Sequence, residues 1–273
     1  MDMASLVNDL MSDSNAMKKR INRSGKQRML TQRMTKLAIL ISLNIDKDKN
    51  QKSLLKFAKL YNDTLAEFKA GNSDLGFTKE ANIKIEKQIA VVEELWKDFF
   101  KNVKILAEGK DKEDKALNYV TSHNQALLKE SNNLVSLYEK SNTSQNYMEK
   151  AMVKIVNLAG RQRMLTQKMT NEKLMCVKGE KEYKKSLIKT IKLFDESLDT
   201  LINGNTSQKI PKPSNKKIKE QLAKVKKLWD ELKPLYENWK PDAKTLAIII
   251  KKNPILLKEM NKMVSLAEQE TEY

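Results

Sequence analysis

Apolar side chains recur every three or four residues along most of the chain, which is the spacing of an amphipathic α-helix. One stripe contains Leu54, Leu55, Ala58, Tyr61 and Leu65, and another contains Ile85, Ile89, Val92, Leu95, Trp96 and Phe99. No segment alternates apolar and polar residues as a half-buried strand does, and the turn pairs of hairpins are missing. The pattern predicts an all-α protein.

The chain also repeats itself. Residues 21–35 and 156–170 are identical at ten of fifteen positions and share Asn-x-x-Gly-x-Gln-Arg-Met-Leu-Thr-Gln. Three further blocks recur in the same order: 52–72 matches 185–205, 87–96 matches 220–229, and 127–137 matches 256–266. Because the offset changes only between blocks, each block predicts one helix. Two tandem antiparallel four-helix bundles follow, over residues 14–140 and 147–270.

The joint between the repeats decides how they are arranged. Residues 139–146 are polar and lack apolar periodicity. Both termini of an antiparallel four-helix bundle lie at the same end. A turn at 141–146 would therefore place repeat 2 parallel to repeat 1, side by side, as a pseudo-dimer, and we favour this arrangement. The alternative is a continuous helix over 116–175 that stacks the repeats end to end, so that a homodimer would build two sites.

Glycine and proline mark the predicted helix boundaries. Five glycines lie between the repeated blocks and predict loops or helix caps: Gly71, Gly76, Gly109, Gly179 and Gly204. All five prolines are in repeat 2. Pro211 and Pro213 predict a loop, whereas Pro234, Pro241 and Pro254 are expected to kink or begin helices.

Composition narrows the choice of function. Lysine and arginine number 52 against 35 acidic residues, for a net charge of +17. Such a charge is compatible with nucleic acid or an anionic membrane surface, but the lysines are spread over every predicted helix. We interpret them as a solvated surface and expect no nucleic-acid partner. The apolar runs 37–43 and 245–250 are too short to span a membrane, and the segment MDMASLVNDL lacks secretory features. We expect a soluble protein or a soluble domain of a longer one.

No constellation of catalytic residues stands out. The single histidine, His123, has no counterpart in repeat 2, and the single cysteine, Cys176, excludes an internal disulfide. Nucleophile elbows, phosphate-binding loops and paired metal ligands are missing from the sequence. We therefore predict no enzyme activity, no metal and no cofactor.

The repeated motif carries the chemistry instead. On a helix, Ile21, Gly25, Arg28 and Gln32 line one stripe, with Asn22 and Met29 beside it. The sequence contains no Asp or Glu over 14–45 or over 151–171. The arginine of each motif must therefore find its partner elsewhere or bind an anion.

Bringing the two motifs together predicts an anion site. Gly25 and Gly160 would allow a close approach of the helices, with Arg28 facing Arg163. Two guanidinium groups repel each other in a low-dielectric site. A small planar anion relieves this repulsion and accepts in-plane hydrogen bonds from both groups. Nitrate has the required charge, shape and size, Asn22 and Asn157 could donate further hydrogen bonds, and the apolar surroundings disfavour phosphate.

The motif VNLAGRQRMLTQKM resembles the signature of PilJ-type sensor domains, found in type IV pilus-associated and methyl-accepting chemotaxis receptors. It is also similar to the shorter Asn-x-x-Gly-x-x-Arg-Met box of nitrate/nitrite sensor kinases. Repeat 1 departs from the usual Leu-Ala at Arg23-Ser24. The resemblance implies an extracytoplasmic (periplasmic) four-helix sensor, attached to or near a membrane, that binds nitrate or nitrite. The implied ligand-binding residues are Asn22, Gly25, Arg28, Met29, Asn157, Gly160, Arg163 and Met164.

Two other functions remain open at the level of sequence. A structural or protein-interaction module of a pilus or chemotaxis system could keep the motif for helix packing alone. Such a module predicts a tightly closed contact between Gly25 and Gly160. Nucleic-acid binding would require the basic residues to gather on one face.

Overall fold

The computed structural model describes residues 3–75, 78–144, 146–240, 242–270 and 273. This part of the chain forms eight α-helices and no β-strand, which confirms the predicted all-α class. Repeat 1 contains α1 (Met3–Ser42), α2 (Lys47–Ala70), α3 (Ile83–Ala107) and α4 (Lys115–Lys140). Repeat 2 contains α5 (Tyr147–Val177), α6 (Tyr183–Asn203), α7 (Lys216–Glu237) and α8 (Ala243–Gln269).

Equivalent residues begin and end equivalent helices. The Asn82 side chain accepts a hydrogen bond from the Lys84 amide at 3.0 Å before α3, and Asn215 caps α7 in the same way. These bonds satisfy amides that have no partner within the helix. Gly71 and Gly204 follow α2 and α6 with φ of 83° and 76°, a conformation that disfavours residues with a Cβ. Both were expected between blocks.

Two prolines lie in a loop, as predicted, and two others lie inside helices. Pro211 and Pro213 lie in the loop between α6 and α7. Pro234 and Pro254 lie inside α7 and α8 rather than at their first residues. Pro241 and Gly76 lie outside the described residues.

Each repeat buries an aromatic pair at the same place. Tyr61 and Trp96 stack with ring centroids 4.1 Å apart, and Phe194 and Trp229 lie 4.4 Å apart. Each repeat therefore packs α2 against α3, or α6 against α7, through the same aromatic contact. One residue of the predicted stripe does not join the core: Leu55 is 48 % exposed, because the apolar face of α2 is narrower than the sequence indicated.

The two repeats lie side by side. Because α4 ends at Lys140 and α5 begins at Tyr147, the predicted turn is confirmed and the alternative of a continuous helix over 116–175 is wrong. Helix α1 runs parallel to α5 along its length, so early residues contact early residues and late residues contact late ones. Arg163 donates to Asn22 near the middle of both helices, and Lys178 donates to Ser42 at their carboxyl ends.

Glutamines of the repeated motif join the helices within each repeat. Gln27 donates to the backbone oxygen of Tyr61 at 2.9 Å, and Gln162 donates to that of Phe194 at 2.8 Å. The second glutamine of each motif reaches the fourth helix of its own repeat. Gln32 donates to Asn124, and Gln167 donates to Asn253. Much of the motif therefore serves packing, and the arginines and glycines require a separate explanation.

Candidate functional site

The motif arginines are buried where α1 and α5 meet. Arg28 is 1 % exposed and Arg163 is 3 % exposed. A Cβ built on Gly160 would lie 3.4 Å from Nη2 of both arginines. Both guanidinium groups therefore border the same small space over this glycine, as the sequence predicted.

Arg28 is held by asparagines of both repeats. Its Nη1 donates to Asn132 Oδ1 of its own repeat at 2.9 Å. Its Nη2 donates to Asn157 Oδ1 at 2.9 Å and to the Asn157 backbone oxygen at 3.3 Å, across the interface. Its Nε is buried and has no hydrogen-bond partner among the described residues.

Arg163 repeats this arrangement with the repeats exchanged. Nη1 donates to Asn261 Oδ1 at 3.4 Å, and Nη2 donates to Asn22 Oδ1 at 2.8 Å and to the Asn22 backbone oxygen at 3.2 Å. Its Nε is likewise buried without a partner among the described residues. The site therefore has approximate twofold symmetry within one chain.

Two carboxylates lie behind the asparagines. Asn157 Nδ2 donates to Glu139 at 2.5 Å, and Asn22 Nδ2 donates to Glu268. Each asparagine therefore links an arginine to a carboxylate, and no direct ion pair involving Arg28 or Arg163 occurs in the described part of the chain. Asn22 and Asn157 were expected to donate to an anion, and here one amide hydrogen of each is directed to a glutamate. The second hydrogen of each amide is the one that could reach an anion.

Burial governs the protonation of the arginines. Desolvation, and secondarily the nearby charges of Arg161 and Arg163, lower the pKa of Arg28 to about 9 against the opposing charge of Glu139. Desolvation lowers the pKa of Arg163 to about 10, again with a glutamate, Glu268, in opposition. Both side chains remain charged at neutral pH, so the repulsion expected from the sequence is present. An added negative charge would relieve it.

The glycines leave room for guanidinium groups rather than for a second backbone. A Cβ on Gly25 would lie 3.1 Å from Arg28 Nη2 and 3.8 Å from Arg163 Nη2. No atom of Gly25 lies within 4 Å of the position of a Cβ on Gly160. The tightly closed glycine contact that a packing-only motif predicts is therefore not formed.

The structure brings six of the eight sequence-predicted site residues together: Asn22, Gly25, Arg28, Asn157, Gly160 and Arg163. Met29 and Met164 are buried in the hydrophobic core next to them in sequence. The unusual Arg23-Ser24 of repeat 1 is accommodated, because Arg23 pairs with Glu67 and Ser24 donates to the Arg20 backbone oxygen at 2.8 Å.

Four residues of the site were missed from sequence: Asn132, Asn261, Glu139 and Glu268. The signal for the asparagines was present, because both occupy the same position of the repeated block at 127–137 and 256–266. A polar residue retained within an apolar block is a candidate for a site. The glutamates follow these blocks at the same spacing.

Two parallel four-helix repeats, joined through paired buried arginines, define a tandem helical module of the kind found in sensor proteins. The sequence pattern of the PilJ family, described as the type IV pili methyl-accepting chemotaxis transducer N-terminal region, matches residues 10–121 and 145–249. The chain therefore belongs to the PilJ family and carries two copies of its domain.

Comparison with curated proteins and with solved structures gives no match. Among the described residues, no helix combines the length and the apolar character needed to cross a lipid bilayer.

Proposed function

We propose that this chain is a sensor module that binds one small monovalent planar anion, nitrate or nitrite above all, between α1 and α5. The observation that carries the proposal is the pair of buried guanidinium groups bordering one space over Gly160. Family membership supports a sensor and signalling role rather than catalysis.

The hydrogen-bond geometry suggests how the anion is held. Asn22 and Asn157 supply the oxygen acceptors for the two Nη2 groups. We infer that nitrate oxygens replace these amide oxygens and also reach the buried Nε donors. Fork-shaped guanidinium groups match planar oxyanions well.

The local charge explains a preference for monovalent anions. Arg28 and Arg163 are balanced by Glu139 and Glu268 behind the asparagines. A monovalent anion therefore leaves the site with about one excess negative charge, whereas sulfate or phosphate leaves it with about two. Sulfate and phosphate must also give up stronger hydration to enter a buried site.

Nitrate should raise the melting temperature of the purified chain more than sulfate or phosphate does. At about 100 times the dissociation constant, binding to the folded state adds about 2.7 kcal/mol to the free energy of unfolding. Differential scanning fluorimetry in chloride, nitrate, nitrite, sulfate and phosphate at equal ionic strength measures this directly. Calorimetric titration should give one nitrate per chain. An absence of heat and of any melting shift would contradict the proposal.

Glu139→Gln should tighten nitrate binding several-fold, because Glu139 repels an anion and balances the Arg28 charge. The neutral amide can still accept the hydrogen bond from Asn157. The matched control is Glu130→Gln on the same helix, whose carboxylate accepts from Gln88 and Asn133, away from the arginines. Calorimetric titration compares the three proteins. Weaker binding in Glu139→Gln than in the control would show that the carboxylate supports the anion.

An extracytoplasmic location next to a membrane and self-association as a homodimer remain proposals. PilJ regions of chemotaxis transducers lie outside the cytoplasm as a rule. Because this chain supplies both arginines, a homodimer is not required to complete the site.

A protein-interaction module of a pilus or chemotaxis system is the second candidate. The same asparagine–arginine bonds join the two repeats, so they could serve assembly alone. The separation of Gly25 from Gly160 favours the anion site over this alternative.

A further inference from the structure

A cleft of about 760 Å³ opens between α1, α2 and α8, away from the paired arginines. Its lining includes Lys36, eight residues after Arg28, which corresponds to about 12 Å along the helix. A pocket of this size accommodates a small organic molecule. Its apolar wall is formed by Leu37, Leu40, Ile45, Phe57, Leu246 and Ile250.

The charged residues of the cleft are unbalanced. Four lining residues are basic, namely Arg33, Lys36, Lys49 and Lys251, and one is acidic, Asp46. None of the five forms an ion pair with another residue of the described chain. Arg33 lies over the Phe57 ring at 3.8 Å from its centroid, which places a guanidinium beside the apolar wall.

Lys36 is the unusual member of this set. It is 7 % exposed, and its Nζ donates to Asn253 Oδ1 at 2.8 Å, the only hydrogen bond that the described residues give it. A lysine ammonium has three donors. Burial, and secondarily the charge of Arg33, lowers the pKa of Lys36 to about 7. A buried ammonium without a carboxylate is costly, and an anionic ligand would compensate it.

In repeat 2, the equivalent region contains a carboxylate that pairs with a basic residue. The positions equivalent to Arg33, Lys36 and Leu37 are Lys168, Asn171 and Glu172. Glu172 is buried and pairs with Lys168 at 2.7 Å, and Ser186 and Thr190 also donate to it. Repeat 2 therefore supplies its own carboxylate, whereas repeat 1 has a leucine there and lacks one.

We propose that the cleft binds an organic monocarboxylate with an apolar body. The carboxylate meets Arg33 and Lys36 and supplies to repeat 1 the negative charge that Glu172 supplies to repeat 2. The hydrocarbon body lies against Leu37, Leu40 and Phe57. The chain would then have two ligand sites of different chemistry, one for a small inorganic anion and one for an amphipathic acid.

Benzoate and hexanoate are the probes, and their uncharged analogues benzamide and hexanol are the ligand controls. Calorimetric titration in nitrate-free buffer should show saturable binding of one acid per chain, with the uncharged analogues at least tenfold weaker. Saturating nitrate should leave the affinity for the acids within about twofold. Absence of saturable binding of both acids, or complete displacement by nitrate, would overturn the proposal.

Two variants locate the site. Lys36→Met removes the ammonium and keeps an unbranched apolar stem, and it should weaken acid binding at least tenfold. Ala247→Trp adds bulk at an exposed residue lining the cleft, and it should abolish binding without disturbing the core. Ala90→Trp, on the exposed face of α3, is the matched control and should bind normally. Unchanged affinity in either Lys36→Met or Ala247→Trp would refute this placement of the ligand.

Discussion

Arg28→Met and Arg163→Met should each abolish measurable nitrate binding while leaving the protein folded. Each substitution removes one half of a two-sided clamp. Charge-assisted hydrogen bonds contribute about 1.5–3 kcal/mol each, and every 1.4 kcal/mol is about tenfold in affinity. Loss of two such bonds from one guanidinium therefore lowers affinity by about a hundredfold or more.

The fold should survive because two effects oppose each other. Removing one guanidinium group ends its repulsion with the other. It also removes the free-energy cost of desolvating one buried charge. Against this, loss of Arg28 leaves Asn132 and Asn157 oxygens without their donor, at about 1–3 kcal/mol each. Circular dichroism should show native helix content, and calorimetric titration should show no heat with nitrate.

The control is Arg23→Met, which removes an arginine from the same helix that pairs with Glu67 rather than with the motif of the other repeat. Arg23→Met should bind nitrate normally. If the parent protein bound two nitrates per chain and each site variant bound one, the motifs would form independent sites. Normal nitrate binding by either variant would contradict the shared clamp, because the anion would then be held without that arginine.

The repeat made most of the fold predictable. Four blocks recurring in order gave the helix count, and the polar joint at 141–146 gave the parallel side-by-side arrangement that the contact between Arg163 and Asn22 confirms. Motif spacing alone predicted that Arg28 and Arg163 would meet over the glycines. These features follow from local pattern and from the twofold relation between copies.

Other features depend on contacts that local pattern does not encode. Glu139 and Glu268 reach the arginines only through asparagines of the other repeat, so a search for acidic residues near each motif could not find them. The cleft at Lys36 was missed for the opposite reason. A comparison of repeats identifies residues that the two copies share. The cleft instead depends on a position at which they differ, Leu37 in repeat 1 and Glu172 in repeat 2.

The free energy of unfolding should rise by about 2 kcal/mol between pH 7 and pH 9 because of Lys36 alone. Burial lowers its pKa from 10.5 to about 7 in the folded protein. Between these values the unfolded chain binds more protons than the folded protein, so stability increases with pH. One such group contributes up to about 1.4 kcal/mol per pH unit.

Lys36→Met should remove this slope, because a methionine does not titrate. Asn253 Oδ1 still accepts from Gln167 in the variant, so no buried acceptor is left unpaired. The variant should therefore be more stable than the parent protein at pH 6, with the difference shrinking as the pH rises. The charged groups around Lys36 in the cleft, Arg33, Asp46, Lys49 and Lys251, are present in both proteins.

Urea unfolding followed by circular dichroism at pH 6, 7, 8 and 9 measures the effect. The control is Lys258→Met, at an exposed position of α8. Other lysines with lowered pKa, Lys18, Lys26 and Lys173, act in the same direction but cancel in the comparison. Parallel stability curves for Lys36→Met and the parent protein would show that Lys36 keeps its proton throughout. Its ammonium would then already be compensated within the fold, and the reason for a carboxylate ligand in the cleft would be removed.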